Sequence, residues 1–79
     1  MDRKHESKYR ELGLKIGYYR KLKGLTQEQL AERLNKNTSF IGAVEAPNVV
    51  DRNVSLETLF DISDVLGIPV YKFLMFEGE

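Results

Sequence analysis

Few side chains in this 79-residue chain are suited to making or breaking bonds, and their spacing gives them no common target. Cysteine is absent, which removes thiolate nucleophiles, disulfides and thiolate metal sites together. The one histidine, His5, stands in a polar leader and reads as a solvated surface residue. Glu28 and Glu32 lie a turn apart on a solvated helix face, and no carboxylate pair shows evident convergence. A glycine-rich phosphate loop is missing as well. The chain is therefore expected not to be an enzyme and to hold no metal or cofactor. What remains is the hydrogen-bonding chemistry of recognition, concentrated between Gln27 and Ala46.

That stretch, QEQLAERLNKNTSFIGAVEA, reads as two short helices joined by a turn of about three residues. This is the helix-turn-helix arrangement, whose second helix enters the major groove of DNA. The geometry demands particular residue types. Ala31 is small where the two helices must cross, and Asn35 tolerates the unusual φ of the turn. Leu30, Leu34, Ile41 and Val44 are apolar where the pair must seal against a preceding helix.

The elements that hold this unit in place follow from periodicity and punctuation. Residues 1–7 form a polar leader. From Lys8, the residues Tyr9, Leu12, Ile16, Tyr19 and Leu22 recur at spacings of three and four, one face of a first helix. Ser7 is its expected N-cap and Gly24 its terminator. Gly13 and Gly17, inside this helix, imply close approach of another helix. Thr26-Gln27-Glu28-Gln29 forms a capping box that opens a second helix over about 27–34. Asn37 caps a third, over about 38–46, which carries Phe40, Ile41 and Val44 inward and ends at Pro47. A loop over 47–54 includes Val49 and Val50, placed either over the core or against a partner. Ser55 caps a fourth helix with Leu56, Leu59, Phe60, Ile62, Ser63 and Leu66 around its buried side, closed by Gly67. Ile68-Pro69 opens a fifth short helix with Val70, Phe73 and Leu74. There is no strand pattern and no internal repeat. The expectation is an all-α, five-helix domain over 8–76, followed by a tail at 77–79.

At this length one small core is all that can form, and support from a partner chain is expected. The formal net charge is zero, but its distribution is uneven. Residues 1–24 carry eight Lys/Arg against three Asp/Glu, whereas residues 55–79 carry one against five. Such a gradient presents a basic face and leaves the opposite end acidic. No apolar run approaches a membrane span and the charged start is unlike a signal peptide, so a soluble cytoplasmic protein is expected.

Over roughly residues 10–76 the sequence resembles the phage-repressor, or XRE-type, helix-turn-helix family, which includes the lambda and 434 repressors and Cro. The resemblance lies in LGLKIGYYRKLKGLTQEQLAERL, with Gly13, Arg20, Gly24 and Gln27 in the usual places, then in FIGAVE and SLETLFDISDVLGIPVYKFL. The stretch DRNVSLETLFDISDVLGIP is particularly similar to the small controller proteins of restriction–modification systems. The resemblance implies a lambda-repressor-like fold and a transcriptional regulator that binds double-stranded DNA. It implies that Gln27 touches a phosphate or reaches a base edge, and that the amides near Thr26 and Asn37 face the DNA backbone. Thr38, Ser39, Gly42 and Ala43 fall where the family places its base-reading side chains. Arg20 and Glu45 occupy positions that pair. Lys36 and Arg52 are candidate phosphate contacts.

Three departures from the family stand out. Position 43 is alanine where relatives commonly have a long polar residue, and position 42 is glycine. The turn after Glu45 is about three residues longer than in the controller proteins, with Ala46-Pro47-Asn48 in place of the usual glycine. Few polar side chains are then left to read bases, so methyl contacts, water and DNA shape are expected to share the work. A homodimer is expected, with its seam at Val70, Leu74, Met75 and Phe76; no small-molecule effector is evident. The competing reading is an antitoxin-like or protein-interaction module that keeps the fold and reads DNA weakly or not at all.

Overall fold

The computed structural model describes residues 4–46 and 54–76. These form α1 (Glu6–Leu22), α2 (Gln27–Arg33), α3 (Thr38–Glu45) and α4 (Leu56–Leu66), with a closing 3-10 turn at Val70–Leu74. Among the described residues there is no strand. The all-helical class is as expected, but the fifth element is not an α-helix. Pro69 supplies no N–H and its carbonyl accepts from the Lys72 amide at 3.0 Å, a bond between residues three apart, so the segment winds tightly and stops.

The first helix starts ahead of the position the sequence suggests. Ser7 lies inside α1 and caps nothing; His5 is the cap residue, and its carbonyl accepts from the amides of Lys8 and Tyr9, both at 3.1 Å. The other three helix starts are side-chain capped. Thr26 and Gln29 bond each other's backbone amides at 2.9 and 3.0 Å, the full capping box. Asn37 Oδ1 accepts from the Phe40 amide at 2.8 Å, and Ser55 Oγ accepts from the Thr58 amide at 3.1 Å.

The ends of α1, α2 and α4 share one closure. Gly24 (φ 75), Asn35 (φ 56) and Gly67 (φ 66) each adopt the left-handed region. In each case the next residue's amide reaches back five positions: Leu25 to the Arg20 carbonyl at 3.1 Å, Lys36 to Ala31 at 2.9 Å, and Ile68 to Ser63 at 3.1 Å. This Schellman arrangement satisfies carbonyls that a helix end leaves unpaired and turns the chain within two residues. Helix α3 ends differently. Ala46 is extended (φ −70, ψ 126), the conformation favoured before the proline at position 47.

One core unites the elements. Ile16, Leu30, Ile41, Val44, Ile62 and Phe73 are fully enclosed, with Leu12, Ala31, Leu59, Leu66 and Ile68 around them. Phe73 plugs the base, with the Tyr19 ring edge-on at 5.4 Å. Three residues expected inside lie outside. Leu22 is exposed, and Leu56 and Phe60 are 64% and 50% accessible. On α4 the buried stripe runs through Thr58, Leu59, Ile62 and Leu66. At 100° per residue, Phe60 falls about 145° from the middle of that stripe, so an apolar residue there belongs to the surface.

Candidate nucleic-acid interface

Helices α2 and α3 are held together at Ala31, which is buried at their crossing, and at the Asn35 turn. On the inner side of α3, Ile41 and Val44 are locked into the core. Its outer side presents Thr38, Ser39 and Ala43, all exposed. The first turn of α3 carries no acidic residue, so nothing there opposes the approach of an anion to the helix start. Asn37 sits at that start with its Oδ1 already engaged in the cap.

Behind this face lies a three-residue polar network. Arg20 Nε donates to Glu45 Oε2 at 2.7 Å and Nη2 donates to Glu45 Oε1 at 3.0 Å, a two-pronged pair between α1 and the last residue of α3. Both side chains are largely buried, 8% and 9% accessible. Arg20 Nη1 also donates to the Leu25 carbonyl at 2.6 Å, so the same guanidinium fixes the turn into α2. Gln27 Nε2 adds a third donor to the carboxylate, meeting Glu45 Oε1 at 3.1 Å. Among the described residues no buried side-chain nitrogen or oxygen is left unsatisfied.

Gly17 makes room for this network, and Gly42 lies beside it. A Cβ on Gly17 would stand 3.1 Å from Glu45 Oε1, closer than side chains ordinarily tolerate, so the carboxylate occupies space that any other residue would fill. The close approach expected of helix 1 is thus by a side chain of α3. Gly42 is half-buried, and a Cβ there would lie 3.8 Å from Gln27 Oε1. The Gln27 side chain lies over position 42.

Other candidate contacts are placed less directly. Lys36 is exposed, with its ammonium 5.4 Å from the centroid of the Phe40 ring, a cation–π contact one turn along the chain. Arg52, like Val49 and Val50, lies outside the described residues. At the far end of the molecule Leu74 and Met75 are exposed, whereas Val70 and Phe76 are partly buried against the protein's own core. Leu74 and Phe76 line one wall of an open groove of about 320 Å³, facing His5, Lys8, Tyr9 and Leu12 of the first helix region. The Gln27–Glu45 bond and the cover over Gly42 had no signal in the spacing of residues, because their partners are far apart in the chain.

A helix-turn-helix family model matches residues 16–73, which takes in the end of α1 and all of α2, α3 and α4. The chain belongs to that family. Control protein C.SmaI of Serratia marcescens is 40% identical over 60 residues, a stretch covering 76% of this chain and 68% of that protein. The N-terminal DNA-binding domain of SinR from Bacillus subtilis has the same fold, with a TM-score of 0.72 at 30% identity, over 89% of this chain and 99% of that domain. The resemblance to repressor-type helix-turn-helix proteins and small controller proteins thus holds for family and fold alike. Among the described residues no helix is long and apolar enough to cross a membrane, and no cluster of His, Cys, Asp or Glu is arranged to hold a metal ion.

Proposed function

We propose that this chain is a cytoplasmic, non-enzymatic transcriptional regulator that lays α3 in the major groove of double-stranded DNA. One observation carries the reading: α3 is sealed on its inner side by Ile41 and Val44 and presents Thr38, Ser39 and Ala43 together on its outer side. The acid-free helix start next to them supports a phosphate at the groove edge, with the amides after Asn37 as donors, and Lys36 and Arg52 supply further cationic contacts. Two hydroxyls and a methyl are a small reading head, so specific affinity comes from two copies on a pseudo-palindromic site, with centres about one helical turn (~34 Å) apart. The seam is assigned to Val70, Leu74, Met75 and Phe76, at the acidic end and away from the phosphates.

A second reading is favoured by Gly42 and Ala43, which leave the centre of α3 without a long polar side chain. It treats the domain as a protein-interaction module with the same fold. Binding to random-sequence duplex across a salt series separates the two. A DNA binder loses affinity as counterions compete, in proportion to the phosphates neutralised, whereas an interaction module binds almost nothing at any salt. Selection of bound sites from random DNA then reports the half-sites and their spacing.

A further inference from the structure

The Gln27 side chain has its orientation imposed by a buried carboxylate. A carboxylate can only accept hydrogen bonds, so it is the amide nitrogen of Gln27 that must face Glu45 Oε1, as it does at 3.1 Å. The Gln27 carbonyl oxygen is then turned to the other side, over Gly42. Gly42 follows Thr38 by one helical turn and shares its face of α3. An acceptor oxygen is thereby held on the reading surface, with one amide N–H still free of Glu45. Phosphate oxygens are themselves acceptors and cannot bond that oxygen. In the major groove, adenine presents the complementary pair, a donor at N6 beside an acceptor at N7.

We propose that Gln27 reads an adenine in the operator, and that Glu45 is the positioning residue that presents its amide in the reading orientation. Arg20 takes part by holding the carboxylate from behind, with two hydrogen bonds of its own. Gly42 lies beneath the amide, where a Cβ would stand at an ordinary contact distance of 3.8 Å. The ion pair thus supports base recognition as well as helix packing. This inference rests on α3 being the reading helix, as proposed above.

The test uses the whole chain and sites selected from random duplex DNA, with the parent and two variants, Gln27→Met and Glu45→Gln. Methionine keeps the length of the side chain and removes its hydrogen bonds. The parent is expected to select adenine at one position of each half-site, and replacing that base by purine, which lacks the exocyclic amine, is expected to weaken binding about tenfold. Gln27→Met is expected to bind both duplexes equally, to lose preference at that position alone, and to keep its affinity for random DNA. Glu45→Gln is expected to unfold at lower temperature and, where folded, to broaden preference at the same position; if it does not fold, Gln27→Met decides alone. A Gln27→Met variant with undiminished adenine preference overturns the proposal. So does an equal loss on selected and random duplexes, which is the signature of a phosphate contact. If the parent selects no sequence at all, the reading of α3 as a recognition helix fails first and takes this inference with it.

Discussion

Replacing Arg20 with alanine tests the architecture at its most demanding point. The substitution removes three hydrogen bonds and the only cation facing Glu45 that the structure describes in this network. It leaves a carboxylate only 9% accessible with Gln27 Nε2 as its remaining partner, and it strips the Leu25 carbonyl of the guanidinium. Breaking one side of a buried pair costs about 3–5 kcal/mol, because the surviving charge stays desolvated. The carbonyl adds ~1 kcal/mol or more unless water reaches it. Water entry at this margin of the core offsets part of the sum, so a loss of about 3 kcal/mol is the working figure. A domain of this size has about 4–12 kcal/mol in total, so the variant stays folded at low temperature but with roughly a quarter to three-quarters of its margin gone. At roughly 4–8 °C per kcal/mol, the melting temperature falls by at least about 12 °C. Thermal unfolding followed by circular dichroism reads this directly. A second variant, Arg20→Met with Glu45→Leu, removes both charges and is expected to melt above Arg20→Ala. A melting point for Arg20→Ala within a degree or two of the parent refutes the reasoning, since it would place the guanidinium in solvent.

Thr38→Ala combined with Ser39→Ala leaves the fold intact and weakens binding to a selected site more than to random duplex, by competition binding; equal losses would confine both hydroxyls to phosphate. Phe73→Ala empties the most enclosed aromatic site and lowers stability by about 3–5 kcal/mol in denaturant unfolding, whereas Phe60→Ala, on the exposed side of α4, changes it by under about 1 kcal/mol. Asn35→Val forces a β-branched residue to φ 56 and destabilises by ~1–2 kcal/mol, while Asn35→Gly is near neutral in the same assay. Leu74→Asp with Met75→Asp abolishes a reversible dimer seen by sedimentation at micromolar concentration; a dimer that survives both places the seam elsewhere, with exposed Leu56 and Phe60 the next surface to test.

What could be read from the chain alone divides along the range of the interactions involved. Thr26 and Gln29, three residues apart, declare a helix start because both halves of the capping box are local, and Asn35 declares the turn because its own φ decides it. Periodicity located every helix, yet it overfilled α4. Leu56 and Phe60 are as apolar as Leu59, and only the line from Thr58 through Ile62 to Leu66 shows which stripe meets the core. His5 displaced Ser7 as the start of α1 because the backbone there forms a further turn without side-chain help, which no capping preference reports. The pairing of Arg20 with Glu45 was accessible only through resemblance, since 25 residues separate them. The bond from Gln27 to the same carboxylate left no trace in composition or spacing. It depends on volume withheld at Gly17, and such a deficit becomes meaningful only once the helices are packed.

The two sides of α3 have a bearing on how such a regulator changes its target. Thr38, Ser39 and Ala43 touch solvent and no core residue depends on them, while Ile41 and Val44 one step around the helix hold the domain together. With α3 as the reading helix proposed above, substitutions at the outer three positions would alter sequence preference without drawing on the few kilocalories that keep a small domain folded. On that proposal, new operators would be reachable from this chain by single steps, each judged on binding alone. Position 27 is different in kind. Its side chain is tied to a carboxylate that also anchors α1, so a change of preference there is coupled to the integrity of the scaffold. The proposed interface thus has one slow-changing position beside three that are free to drift.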